Sequence, residues 1–366
     1  MKGLSLFANV GIAETYLKEV GVNIVIANEL LEERAEFYRY VYPECMMIQG
    51  GITDENIFSF IAEQAIEKNV EFILATPPCQ GMSLAGAKDP NDPRNYLITS
   101  AVKMIQKVKP KYVMLENVPQ QLKTKMIHDG EVILIPDYLK KELGDDYIFN
   151  DDQLMDTKFY GVPQQRKRAV FLLVRKDVGI KWNLPEKDKH IITLKEAIGD
   201  LPVLHNGDMI DSLPYTKSIK ESSPYAQQMR KGSVESRQNF VSKSNDLVMQ
   251  RYKYIGQGEN WRAIPEFLMQ NYSDKTRCHS GIYKRLKANC PSVVISNYRK
   301  SMLIHPYQDR GLSVREAARL QSFPDTFIFQ GPHMSIQQQI GNAVPPLLSK
   351  AVMAQIMEYD SSYNKE

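Results

Sequence analysis

Up to about position 175 the chain alternates short apolar runs with stretches of helical spacing; from about Pro185 that alternation fades. The runs at 4–7, 23–27, Phe72–Ala75, 112–115 and 169–174 read as strands, each a few apolar residues closed by polar or turn-forming positions. Leu30, Ala35, Phe37, Tyr38 and Val41 recur at helical spacing across 29–42, which stops at Pro43. A second amphipathic helix is expected over 54–68, with Thr53 as its N-cap. Strands alternating with helices predict a doubly wound, mostly parallel α/β sheet. Past Pro185, Ser, Asn, Tyr, Lys and Gly rise and the periodicity is lost. Order resumes at Ser313-Val314-Arg315-Glu316, a capping box that opens a helix to Gln321, and 345–359 predicts a final amphipathic helix. The expected organisation is a large α/β domain (1–184), an irregular insert (185–305) and a C-terminal segment (306–366) whose helix returns to the large domain.

Charge sharpens this division. The whole chain of 366 residues carries 46 Lys+Arg against 43 Asp+Glu, a formal +3. Between Thr216 and His305, however, sixteen basic residues face six acidic ones. A basic block on an acidic body points to an anionic partner, nucleic acid first; the plainer alternative is a solvated basic surface. At 43% hydrophobic and 24% charged the chain is a globule rather than a disordered polymer. It contains no run of ~18 apolar residues that would cross a membrane, and Met1-Lys2-Gly3-Leu4 does not open a signal peptide. Cys45, Cys79, Cys278 and Cys290 are scattered without a C-x-x-C pair, so neither a disulfide framework nor a metal site is expected, and a reducing, cytosolic setting is.

In an open α/β sheet ligands sit beyond the carboxyl ends of the strands, so the residue types just past each strand narrow the chemistry. A turn with Gly11 comes after the first and the acid Glu29 after the second, the generic arrangement for an adenosyl ligand; the single glycine leaves a dinucleotide oxidoreductase and a nucleoside-binding transferase both open. Pro77-Pro78-Cys79-Gln80 then places a cysteine in a rigid loop at the ligand edge. A lone cysteine is commonly a small buried hydrophobe, but this position favours a nucleophile. Glu116-Asn117 leaves the neighbouring strand at the same edge, so a thiolate and a carboxyl could act on one planar ring. Gln164, Arg166 and Arg168 alternate onto one face before the last strand, either as a salt-bridged edge or as cations for a ring carbonyl or phosphate.

These motifs resemble, in order and setting, those of the cytosine-C5 DNA methyltransferases, bacterial restriction-modification type. They are Pro77-Pro78-Cys79-Gln80-Gly81-Met82-Ser83, Glu116-Asn117-Val118, Gln164-Gln165-Arg166-Lys167-Arg168, Arg315-Glu316-Ala317-Ala318-Arg319-Leu320-Gln321-Ser322-Phe323-Pro324 and Gln339-Ile340-Gly341-Asn342-Ala343-Val344-Pro345. The resemblance spans about 4–175 and 310–350. It implies a fold of the S-adenosylmethionine-dependent methyltransferase type with a smaller basic target-recognition domain, and S-adenosylmethionine as cofactor without a metal. It further implies double-stranded DNA as partner and cytosine as acceptor, in a monomer of the bacterial cytosol beside a separately acting restriction endonuclease. Catalysis would fall to Cys79, Glu116, Arg166 and Arg168. The cofactor would meet Phe7, Ala8, Gly11, Glu29, Ile52, Pro78, Leu97, Asn342 and Val344. DNA would meet Gln80, Ser83, Gln164, Arg277, Lys284, Arg285, Arg299 and Lys300. An RNA cytosine methyltransferase and a catalytically silent DNA-binding protein are the alternatives. Ser5 replaces the family's usual Asp, Asn9 and Ile12 stand where it has glycine, and Gly51 sits where an Asp commonly meets adenine. Asn9 tolerates a left-handed backbone and β-branched Ile12 does not, so a differently shaped cofactor turn is expected. The segment 81–96 is expected to act as a lid over the extruded base.

Overall fold

The computed structural model describes residues 1–78, 97–272 and 280–363. One compact unit comprises Met1–Asp156, Lys167–Glu186 and Leu348–Glu366, and a second comprises Thr157–Arg166 and Lys187–Leu347. In the first, the apolar runs become β1 (Lys2–Leu6), β2 (Asn23–Glu29), β3 (Met46–Gln49), β4 (Phe72–Ala75) and β5 (Tyr112–Asn117). They pair in parallel in the order β3-β2-β1-β4-β5, with α1 (Glu32–Val41), α2 (Glu55–Glu67) and α3 (Leu97–Val108) between successive strands from β2 onward. After a hairpin, β6 (Lys125–His128) and β7 (Glu131–Leu134), come α4 (Ile135–Leu143), β8 (Tyr147–Phe149), β9 (Leu154–Asp156) and β10 (Lys167–Arg175). Strand β10 runs antiparallel to β5, β8 and β9.

All residues of β4 and β5 are buried, as strands covered on both faces require. On one face Leu4, Leu6, Ile73, Val113 and Leu115 pack with Ile61 of α2, Ile98 and Val102 of α3 and Leu139 of α4. On the other, Ala27 packs with Ala35 and Tyr38 of α1, and Trp182 stands edge-on against Phe72 and Tyr112. The sheet is therefore doubly wound and mostly parallel, as expected, and its strand order reverses beside β1.

Some boundaries differ from those the sequence predicts. Helix α1 begins at Glu32 because Glu29 still pairs with Gln49 in the sheet. The N-cap of α2 is Asp54 and not Thr53: the Asp54 carboxylate accepts the N–H groups of Asn56 and Ile57. Gln164 and Arg166 precede β10 as expected, but the strand begins at Lys167 and so includes Arg168.

Among the described residues the helices and strands of the second unit are short: α5 (Leu194–Ile198), β11 (Met209–Ile210), α6 (Pro224–Met229), β12 (Asn239–Phe240), α7 (Asp246–Tyr252), α8 (Val314–Leu320) and α9 (His333–Asn342). The capping box at Ser313 and Glu316 opens α8 as predicted. Buried ion pairs take over much of the cohesion. Arg319, fully buried, reaches Asp200 at 2.5 Å and Asp325 at 2.6 Å, Tyr215 donates to Asp325 at 2.6 Å, and Arg310 pairs with Glu316 at 2.7 Å. The Arg319–Asp200 and Tyr215–Asp325 bonds tie 306–347 to the preceding segment, and the unit runs to Leu347 without a break at 306. The last helix, α10 (Pro346–Tyr363), is anchored in the first unit by Lys350 to Glu19 at 2.6 Å and Tyr112 to Asp360 at 2.7 Å.

Burial alone would raise the Asp325 carboxyl, but Arg319 and Arg315 overcome it and hold it below the ordinary range. Its stabilisation is thus present above the ordinary aspartate value and is lost as pH falls through the lowered one. Asp325→Ala leaves two buried guanidiniums short of an acceptor and should cost about 3–5 kcal/mol in urea unfolding. Lys18→Ala, which breaks only the exposed pair with Glu44, should leave the transition where it is.

Candidate active site

The carboxyl ends of the five parallel strands share one edge, and the strand order reverses beside β1, the position where open α/β sheets form a ligand crevice. The turn after β1 is tightly wound. Phe7, Asn9 and Gly11 all take positive φ (58°, 52° and 77°), whereas Ile12 does not. The asparagine thus supplies the left-handed step that a glycine would otherwise make, and the chain turns without straining Ile12. Glycine is required at position 11, where a Cβ would stand 2.1 Å from the Tyr42 ring. Glu29, at the end of β2, is buried; its two carboxylate oxygens accept the N–H groups of Asn9 at 2.9 Å and Leu31 at 3.1 Å. An acid is thereby held beside a turn in which the Asn9 side-chain oxygen is enclosed without a protein partner. An acid at the end of β2 beside such a turn is the arrangement an adenosyl ligand needs. Ala8 and Ile52 are buried, Phe7 and Leu97 half-buried and Pro78 exposed.

The register of β10 against β5 decides the next feature. Val170 lies opposite Glu116, so Arg168, two residues along the same face, is its diagonal neighbour. Arg168 Nε stands 2.7 Å from Glu116 Oε1, with both side chains buried. Asn117 has a part that the sequence did not disclose. Its side-chain amide donates to the Pro77 carbonyl at 3.0 Å and its oxygen accepts the Val118 N–H at 2.8 Å. Thr76 donates its hydroxyl to the Phe7 carbonyl at 3.2 Å. The loops after β1, β4 and β5 are thus linked at the edge by short polar side chains. The asparagine directly after the acid was the available signal for the first of these links.

In the second unit the candidate residues divide by burial. Gln164 is fully buried; its amide donates to the Leu320 carbonyl and to Gln321, and accepts from the Ile295 N–H. Arg166 is buried and donates to the carbonyls of Ile295 at 2.6 Å and Gly341 at 3.0 Å. Arg285 is buried as well, and its five N–H groups meet the carbonyls of Ile255, Tyr252, His305 and Gln308 and the Asp309 carboxylate. These three side chains hold backbone together. Lys284 is half-buried and bonds the Gly258 carbonyl; Arg299, Lys300 and Asn342 are exposed, and Val344 is buried. Cys79, Gln80, Ser83, the 81–96 segment and Arg277 lie outside the described residues. Among the described residues no group of His, Cys, Asp and Glu could hold a metal ion, and no helix is long and apolar enough to cross a membrane.

The family profile described as C-5 cytosine-specific DNA methylase matches residues 1–358. The chain belongs to that family. It is 34% identical to the Type II methyltransferase M1.HgaI of Avibacterium volantium, over 97% of each chain. It is 30% identical to M.DdeI of Desulfomicrobium norvegicum, over 100% of this chain and 90% of that one. A crystal structure of an E. coli prophage-encoded DNA modification methyltransferase covers 98% of the chain at a TM-score of 0.75 and 20% identity, covering 99% of its own length. The mixed, mostly parallel sheet is therefore the methyltransferase fold, and the protein is a cytosine-C5 DNA methyltransferase of the bacterial restriction-modification kind. Removing one side chain of the Glu116–Arg168 pair takes from the other an opposite charge 2.7 Å away in a buried setting. A double-mutant cycle with Glu116→Gln and Arg168→Met, read by denaturant unfolding, should return a coupling energy above the 0–1 kcal/mol typical of exposed pairs.

Proposed function

We propose that the enzyme transfers a methyl group from S-adenosylmethionine to C5 of a cytosine flipped out of a specific double-stranded DNA sequence, through a covalent bond between Cys79 and C6. The observation that carries this reading is the buried Glu116–Arg168 pair at the carboxyl edge, tied through Asn117 to Pro77, two residues before Cys79. C5 of cytosine is a weak nucleophile until a group adds at C6. The Cys79 thiolate adds there, and the ring electrons move to C5 while Glu116 shares a proton at N3 and Arg168 holds O2. When bound, the cofactor supplies the electrophilic methyl group. Loss of the C5 proton to a base then expels the thiolate and restores the ring. C6 is hidden in stacked DNA, so the base must leave the helix. Phe7, Gly11 and Glu29 serve the cofactor, Phe7 against adenine. Arg166 acts by ordering backbone.

The second unit contains the basic block, and residues 185–305 are the target-recognition region, with Arg299 and Lys300 available to phosphate and Lys and Arg supplying sequence-independent affinity. The relatives are Type II methyltransferases, which supports a protective role in the bacterial cytosol beside a separate endonuclease.

Cys79→Ala should abolish methylation and keep most of the DNA affinity. DNA carrying 5-fluorocytosine at the target should trap the wild-type enzyme as an adduct stable to denaturation, because fluorine cannot leave as a proton. Methylation by the alanine variant would end the nucleophile assignment. Replacing Arg299 and Lys300 together by alanine should weaken DNA binding and reduce the slope of log K against log salt by about 1.8, if each neutralises one phosphate. Unchanged binding would place both on a solvated face.

A further inference from the structure

Behind the turn at 7–11 lies an acid that none of these roles uses. Glu14 is 5% exposed. One of its oxygens accepts the Ser5 hydroxyl at 2.5 Å, and the other is enclosed without a hydrogen-bond partner. The groups that face it come from three places: Ser5 on β1, Tyr38 and Tyr42 on α1 and its cap, and Cys45 just beyond that helix. None of them is cationic. Tyr42 in turn donates its hydroxyl to the Gly11 carbonyl at 2.6 Å, and its ring occupies the space that a side chain at position 11 would need. The acid therefore meets the strand that leads into the turn through Ser5, and the Tyr42 phenol beside it meets the turn itself through Gly11.

We infer that Glu14 is a positioning residue for the cofactor, acting through Ser5 and Tyr42 to hold residues 7–11 in the conformation that binds the adenosyl group. This rests on the cofactor site proposed above. A buried carboxylate supported only by the Ser5 hydroxyl and its own backbone N–H, with no cation, costs more than the acid form does. Burial accordingly pushes the Glu14 carboxyl up to about 7, against the smaller opposing pull of the Ser5 hydrogen bond. The turn in its braced form holds the proton more tightly than an opened, solvated one, so the braced form is favoured at low pH. That preference declines as pH rises from the ordinary glutamate value of 4.5 to about 7, and is level above. Only the braced form binds ligand, so apparent affinity falls with its population.

The test is calorimetric binding of S-adenosylhomocysteine to the full-length protein between pH 5 and 8.5, in wild type and variants. Glu14→Gln keeps the shape of the uncharged acid. It should bind like wild type near pH 5, and several-fold more tightly than wild type at pH 8. Ser5→Ala removes the bond that favours the carboxylate, so the decline in affinity should extend to higher pH. In the Ser5→Ala/Glu14→Gln double variant the decline should vanish. Glu14→Ala should weaken ligand binding and raise KM for the cofactor at every pH, with a smaller change in kcat. Glu29→Ala serves as the control for the site itself. If it binds as wild type does, the cofactor site is misassigned. If it weakens binding while Glu14→Gln tracks the wild-type pH profile, the role of Glu14 is overturned. A Glu14→Gln affinity below wild type at pH 8 would also overturn it, since it would mean that the carboxylate attracts the ligand directly.

Discussion

A carboxylate and a guanidinium can remain buried at the end of a sheet only if each is brought to the other, and the antiparallel entry of β10 beside β5 does this. Parallel strands deliver their last residues to the ligand edge, whereas an antiparallel neighbour delivers its first. Glu116 lies near the end of β5 and Arg168 near the start of β10, and the pairing of Glu116 with Val170 puts the two on one face. Had β10 run parallel to β5, Arg168 would stand at the opposite edge. Asn117, the next residue of β5, anchors the loop before Cys79 by donating to the Pro77 carbonyl.

The second unit meets a different constraint. It has few helices and short strands among the described residues, so many of its backbone carbonyls lack regular partners. Buried arginines fill that need. Arg166, Arg285, Arg315 and Arg319 all donate to main-chain carbonyls, and Arg285, Arg315 and Arg319 also face carboxylates. A guanidinium suits this work because its five N–H groups lie in one plane and keep their charge in the interior. Arg285 belongs to the basic block of 216–305, where Arg251 is likewise buried and donates to the Leu268 carbonyl, so the block's count of cations overstates the charge offered to DNA.

The same economy shows in the turn after β1. Departures from the glycine-rich pattern are absorbed by residues that sit elsewhere in the chain. Asn9 takes a left-handed backbone, Ser5 finds a carboxylate on Glu14, and Tyr42 fills the space behind Gly11. The outcome is a turn that still presents the Glu29 carboxylate, although its supporting contacts are particular to this chain.

Local pattern determined much of this protein. The apolar runs of the strands, the capping box at Ser313 and the ordered motifs around Cys79, Glu116 and Arg168 were all legible, because each depends on neighbours in sequence or on chemistry confined to a few residues. The short strand Met46–Gln49 and the Asp54 cap were not distinguished: brief elements have little periodicity, and adjacent Thr and Asp cap equally well on paper. Tertiary structure alone decided which arginines are surface and which are internal, since Arg285 and Arg299 are alike as residues and differ only in what the fold brings around them. It alone joined Ser5 to Glu14, and Asn117 to Pro77, because such pairings depend on strand register and helix placement, which bring together residues that composition and spacing leave unrelated.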